Sequence, residues 1–254
     1  ATLVIIEDEL VEDAAVEIEE ETMELQLISE IKNLDKDTEV YVRGVVTALP
    51  GQFADTYFYV SEIDFDGDIN LSTGIQIYSS KKYFPDLEIG EVIVIFGKLS
   101  ETNGEKRIKV LSEDDIQVIE SHDLPQPEEV LTGEISDDYE GGFIYVQADL
   151  IDKKSTSWYL DDDSGEIRVY ISPKTGIEKP TVELGQKVLV IGVVSETKSG
   201  FRLLPRLSED IVVEKTILEE DEPEVTVIVK PTNKYINVGE SSDEEKGDFV
   251  GYGL

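Results

Sequence analysis

Cysteine is absent from this 254-residue chain, and histidine, methionine and tryptophan each occur once. Without cysteine, disulfides, zinc thiolate sites and thiol nucleophiles are excluded. The lone His122 stands beside Asp123 just before Leu124-Pro125-Gln126-Pro127, remote in sequence from any plausible nucleophile, and reads as a linker residue. With no second histidine, phosphate loop or metal signature, the usual sets of nucleophile, base and metal cannot be assembled. Paired carboxylates for glycoside hydrolysis are not nominated over the many solvating ones, so no enzymatic activity is expected. Long apolar runs are missing as well. The longest, Val92–Phe96, suits a buried strand and falls far short of the ~18 residues that span a membrane.

Positive charge is the other scarcity: 22 basic residues face 57 acidic ones, for a formal net charge of −35. Residues 1–25 hold ten acids and no base, and residues 216–254 hold ten acids and three bases. Acid-rich segments of this kind are typical of solvated tails rather than packed structure. The stretches between them are milder, with 18 acids to 9 bases over 26–120 and 18 to 10 over 128–215. The organisation expected is therefore an acidic tail (1–25), a first unit (26–120), a Pro-containing linker (121–129), a second unit (130–215) and an acidic tail (216–254). Two prolines within three linker residues favour an extended, stiff spacer.

What is present is a repeat. Gly97–Ile116 (GKLSETNGEKRIKVLSEDDI) returns as Gly192–Ile211 (GVVSETKSGFRLLPRLSEDI), with Ser-Glu-Thr at 100–102 and at 195–197. Upstream, Glu39–Val46 matches Phe143–Leu150, Thr56–Glu62 matches Thr156–Asp162, Ile75–Tyr78 matches Ile167–Tyr170, and Glu88–Gly97 matches Glu183–Gly192. Each pair alternates or runs apolar as strands do. Asn103-Gly104 and Lys198-Ser199-Gly200 supply the hairpin turn before a fifth strand carrying Arg107 or Arg202. Five short strands per unit, with glycine at a strand end, predict an all-β protein of two small closed antiparallel barrels.

The strand count and the non-sheet connector Ser79–Leu87 resemble the OB-fold. More narrowly, the Tyr-rich second strand, GIQIY or EIRVY, SETNG or SETKSG, and SEDDI or SEDI resemble tandem OB-fold modules of bacterial exported or surface proteins. Such modules often stand beside lamin-tail or nuclease-like domains. The resemblance implies two tandem five-stranded OB-fold-like barrels, an exported or cell-surface location, and nucleic-acid binding.

Period-two alternation assigns the faces. Val40, Val42, Phe58, Val60, Ile75 and Ile77 point inward in the first barrel, as do Ile144, Val146, Trp158, Leu160, Ile167 and Val169 in the second. Candidate ligand residues on the outer face are then Tyr41, Arg43, Tyr57, Tyr59, Gln76, Tyr78 and Arg107 in barrel 1. In barrel 2 they are Tyr145, Lys153, Lys154, Tyr159, Arg168, Tyr170, Lys198 and Arg202. Tyrosine beside positive charge is what a single nucleic-acid strand needs: flat π surfaces for bases and cations for phosphates. Exposed tyrosine is equally an ordinary strand former, and the acidic balance repels a polyanion at long range. A protein- or glycan-binding module therefore stays open beside single-stranded nucleic acid. Asp64, Asp66 and Asp68, in an insertion found only in the first barrel (Ile63–Leu71), space carboxylates like the start of a calcium loop. Glycine stands at the fourth place rather than the sixth, however, and Ile75 where the bidentate glutamate belongs, so a solvated acidic loop also fits.

Overall fold

In the computed structural model, residues 24–214 are described, so the tail expectations for residues 1–23 and 215–254 lie outside the described residues. The first sheet contains β1 (Glu39–Ala48), β2 (Tyr57–Ile63), β3 (Ile69–Tyr78), β4 (Glu91–Thr102), β5 (Glu105–Lys109) and β6 (Ile116–Ser121). The second contains β7 (Phe143–Lys153), β8 (Ser157–Asp161), β9 (Glu166–Tyr170), β10 (Lys187–Thr197), β11 (Gly200–Leu204) and β12 (Ile211–Val213). A short helix, α1 (Ile28–Ile31), precedes β1. Among the described residues, no helix is long and apolar enough to cross a membrane.

Each sheet closes on itself. The order is β1-β2-β3-β5-β4 with β4 returning to β1, and β7-β8-β9-β11-β10 with β10 returning to β7. Every barrel pairing is antiparallel except β3–β5 and β9–β11, which are parallel. A five-stranded closed barrel with that strand order is the OB-fold, present here twice.

The alternation read from the sequence holds in both interiors. Val42, Phe58, Val60, Ile75 and Ile77 pack with the buried Ile28 and Ile31 of α1. Ile144, Val146, Trp158, Leu160, Ile167 and Val169 fill barrel 2. Three features depart from the strand map. The acidic insertion extends the β2–β3 hairpin, so β3 begins at Ile69 rather than Ile75. Ser-Glu-Thr lies within the ends of β4 and β10 rather than in the turn. A sixth strand, β6 or β12, pairs with the first half of β4 or β10, because β5 and β11 cover only the second half.

A third apolar cluster lies between the barrels. Val45, Ala48, Tyr59, Ile63 and Val92 of barrel 1 meet Phe143, Leu189, Ile191, Val193 and Leu204 of barrel 2, with linker residue Leu124 buried among them. Backbone meets backbone at its edge. A methyl group on Gly74 would lie 2.2 Å from the Gly141 carbonyl oxygen, and one on Gly142 would lie 2.1 Å from that of Ser72. Arg206, itself buried, crosses the seam: Nη1 donates to the Thr47 carbonyl at 2.7 Å while the guanidinium stacks 3.8 Å over Phe143. Direct packing of the two barrels sets their mutual orientation.

Candidate functional site

The repeated hairpins build the same device twice. Ser100 is opposite Arg107 in the β4–β5 register, and Ser195 is opposite Arg202 in β10–β11. The Ser100 hydroxyl accepts from Arg107 Nε at 2.9 Å, and the Ser195 hydroxyl from Arg202 at 3.4 Å. Parallel pairing then sets each arginine beside the third strand of its barrel. The Arg107 guanidinium lies 3.9 Å from the centre of the Tyr78 ring, and that of Arg202 lies 4.9 Å from Tyr170. Such stacked cation–aromatic pairs hold a planar charge at the surface without burying it.

Around these pairs the outer surface forms one strip across both barrels. Tyr57 is opposite Tyr78 in the β2–β3 register and meets Tyr59 edge-on at 5.7 Å. Burial pushes the Tyr57 hydroxyl upward, while neighbouring Arg202 of the other barrel holds it down. Beyond Tyr170 comes Arg168, 5.2 Å from the same ring and fixed by a 3.0 Å bond from Nε to the Ser157 hydroxyl. Tyr159 is opposite Arg168, and Lys154 Nζ lies 4.4 Å over its ring. Arg107, Tyr78, Tyr57, Arg202, Tyr170, Arg168, Tyr159 and Lys154 thus alternate charge with π surface along the seam and over barrel 2.

Other expected residues lie elsewhere. Tyr59 and Gln76 do point away from the barrel interior, but barrel 2 covers them and both are buried. The Tyr59 hydroxyl donates to Glu105 Oε1 at 2.6 Å, and Gln76 Nε2 donates to Glu105 Oε2 at 2.9 Å and to the Tyr59 hydroxyl at 3.1 Å. Burial lifts the Glu105 carboxyl to about 7, although Tyr59, Ser195 and Arg202 favour its ionised form. Two of the expected ligand residues of barrel 1 are therefore internal contacts. Period two separates core from outside, but it does not say what covers the outside.

Tyr41 stands across from Phe96 on β1 and β4, and its backbone amide donates to Gln26 Oε1. Arg43 donates to the Asp64 carbonyl and so ties down the inserted hairpin. The Tyr145 hydroxyl donates to Glu129 at 2.9 Å, and Lys153 donates to the Val182 carbonyl. Lys198 is exposed at the β10–β11 turn. None of these five belongs to the strip.

Asp64, Asp66 and Asp68 are not gathered around a cation position. Asp64 Oδ1 accepts the amides of Asp66 and Asp68 at 2.9 Å each, closing a polar turn on itself. Among the described residues, the carboxylates that do converge are Asp137, Glu140 and Glu196, at the barrel seam. Of these, Glu140 accepts the Lys106 backbone amide at 2.8 Å, its backbone carbonyl accepts from Lys32 Nζ, and the Lys32 and Lys106 charges favour its ionised form. Sequence reasoning missed Glu105, Ser100, Ser195 and Arg206. The serines were legible, since the spacing of seven from serine to arginine recurs in both halves. Arg206 carried no such sign.

No family model matches the chain. It is similar to endonuclease YhcR of Bacillus subtilis (strain 168), with 28% identity over 187 residues. The match covers 68% of this chain, but the chain spans only 15% of that relative's length. Among solved structures, it is similar to the p204 HINb domain (14% identity, TM-score 0.30, covering 67% of this chain and 95% of the other). A replication protein A heterotrimer bound to single-stranded DNA is similar at 14% identity and TM-score 0.28, over 74% and 52% of the two chains. The single-stranded DNA binding protein of Thermus aquaticus is similar at 12% identity and TM-score 0.22, over 74% and 100%. At such scores the assignment of the fold rests on strand order.

Proposed function

We propose that this chain is a non-catalytic nucleic-acid-binding module that holds a single strand along the Tyr/Arg strip. The observation that carries the reading is the row Arg107, Tyr78, Tyr57, Arg202, Tyr170, Arg168, Tyr159 and Lys154, in which cations and tyrosines neighbour one another and the arginines are held by serine hydroxyls and aromatic rings. Bases stack on tyrosine rings or guanidinium planes, each stack contributing ~1–3 kcal/mol, while the arginines and Lys154 meet phosphates. Acids more than ~8 Å from the strip are screened at physiological salt, whereas Asp152, 3.4 Å from Lys154 Nζ, opposes a phosphate at that end. The likeness to an endonuclease supports a role in which the module presents a strand to a catalytic domain of a larger protein.

The test is fluorescence anisotropy of a labelled oligothymidylate against the full chain at two salt concentrations. Salt-sensitive binding at micromolar protein is expected. Arg168→Ala combined with Tyr170→Ala should weaken it at least tenfold, and Tyr41→Ala, off the strip, should leave it unchanged. Absence of salt-sensitive binding at tens of micromolar overturns the reading and favours a protein or glycan partner.

A further inference from the structure

The repeat sets a lysine at the same point in each barrel: Lys82 is four residues beyond Tyr78, and Lys174 is four beyond Tyr170. Docking of the barrels brings the two together on one carboxylate. Lys82 Nζ lies 2.8 Å from Asp55 Oδ2, and Lys174 Nζ lies 2.8 Å from Asp55 Oδ1. Each oxygen of Asp55 thus takes one ammonium, each from a different barrel. The two lysines hold the Asp55 carboxyl down at about 2, first through the hydrogen bond from Lys174 and then through that from Lys82. Asp55 is also two residues from Tyr57, the tyrosine at the seam of the strip. The backbone of Lys82 is in the left-handed region at φ 60°, uncommon for any residue but glycine, asparagine or aspartate. Its direction is therefore set by an unusual turn.

A carboxylate with one oxygen on each of two ammonium groups has the charge and spacing of the two non-bridging oxygens of a phosphodiester. We propose that Lys82 and Lys174 form a phosphate subsite that Asp55 occupies in the unliganded protein and vacates when a nucleic-acid phosphate arrives. The proposal rests on the function argued above and adds a specific anchor to it. Displacement is feasible because all three side chains are about half exposed, and exposed ion pairs of this kind are individually weak. The subsite needs both barrels, so it exists only in the docked arrangement. Asp55 lowers the intrinsic affinity and removes these lysines from the salt-sensitive contacts of weakly bound anions.

Asp55→Asn in the full chain tests this, with binding of labelled oligothymidylate measured over a salt series. The variant should bind about tenfold more tightly than the parent at low salt. The plot of log affinity against log salt should steepen by about 0.7, since one added phosphate contact to a single strand contributes roughly that much. Adding Lys82→Ala and Lys174→Ala to the variant should abolish both gains. A parent that binds alongside an unchanged Asp55→Asn variant overturns the subsite and leaves the strip intact. A gain that survives removal of both lysines overturns it too, because any lost negative charge would then suffice. If neither protein binds, the subsite and the strip fall together. An unchanged melting temperature for Asp55→Asn confirms that the comparison is between folded proteins.

Discussion

Arg206 shows how much one side chain contributes at the seam. Its Nε lies 3.3 Å from Asp210 Oδ2 with both side chains at most 4% exposed, and Nη1 reaches across to the Thr47 carbonyl of the other barrel. Asp210 also accepts the Arg206 amide at 2.7 Å, so the carboxylate is committed in several directions. Removing the guanidinium leaves a buried carboxylate without its partner, which typically costs 3–5 kcal/mol. Arg206→Ala should lower the urea midpoint accordingly, and by more than Arg202→Ala, whose side chain is only half-buried and not locked in a buried ion pair. The repeat marks Arg202, which matches Arg107, but gives no sign that Arg206, four residues on, is the buried one. Burial distinguishes them, and burial depends on a residue from the other barrel.

At the scale of elements, the barrel strands are where alternation and turn residues locate them. Asn103 and Gly104 both adopt positive φ (58° and 103°), as a two-residue hairpin turn requires. The sixth strands, β6 and β12, were not legible, since a short strand that only covers an exposed edge of β4 or β10 has no periodic face of its own. Gly74 of β3 is the sharpest element-level constraint. A β-carbon there meets the Gly141 carbonyl oxygen at 2.2 Å and the Val60 carbonyl oxygen at 2.6 Å, neither of which belongs to a flexible side chain. Gly74→Ala should therefore force β3 and the Gly141-Gly142 segment apart. A loss of ~1–3 kcal/mol is expected from such overpacking, measurable by denaturant unfolding. Faster proteolysis within the linker at 121–129 would show that the strain opens the seam.

For the whole molecule, the seam makes stability depend on pH. Burial raises Glu105 to about 7, and it raises Glu140 and Glu196 in the same direction. The ordinary glutamate value is 4.5, so between about pH 4.5 and 7 the folded protein holds a proton on Glu105 that the unfolded chain has released. Stability from this group is then full below about 4.5 and declines as pH rises through 7, by about 3 kcal/mol at ~1.4 kcal/mol per unit. The melting temperature should fall between pH 5 and 8, and Glu105→Gln should flatten most of that slope. An unaltered slope in the variant would assign the dependence to Glu140 and Glu196. The acidity of Glu105 was illegible because its register partner Thr102 and its neighbours in sequence give no hint that Ser195 and Arg202 lie over it. The sequence by itself determined the two barrels, their inward residues and the repeated serine–arginine hairpins, because period, turn chemistry and repetition are local properties. Only the tertiary structure decided which outward tyrosines remain at the surface. Docking buries Tyr59 and Gln76, brings Tyr57 beside Arg202 and sets Lys174 beside Lys82 on Asp55, and the Tyr57–Arg202 and Asp55–Lys174 contacts join residues from opposite faces of a packed seam.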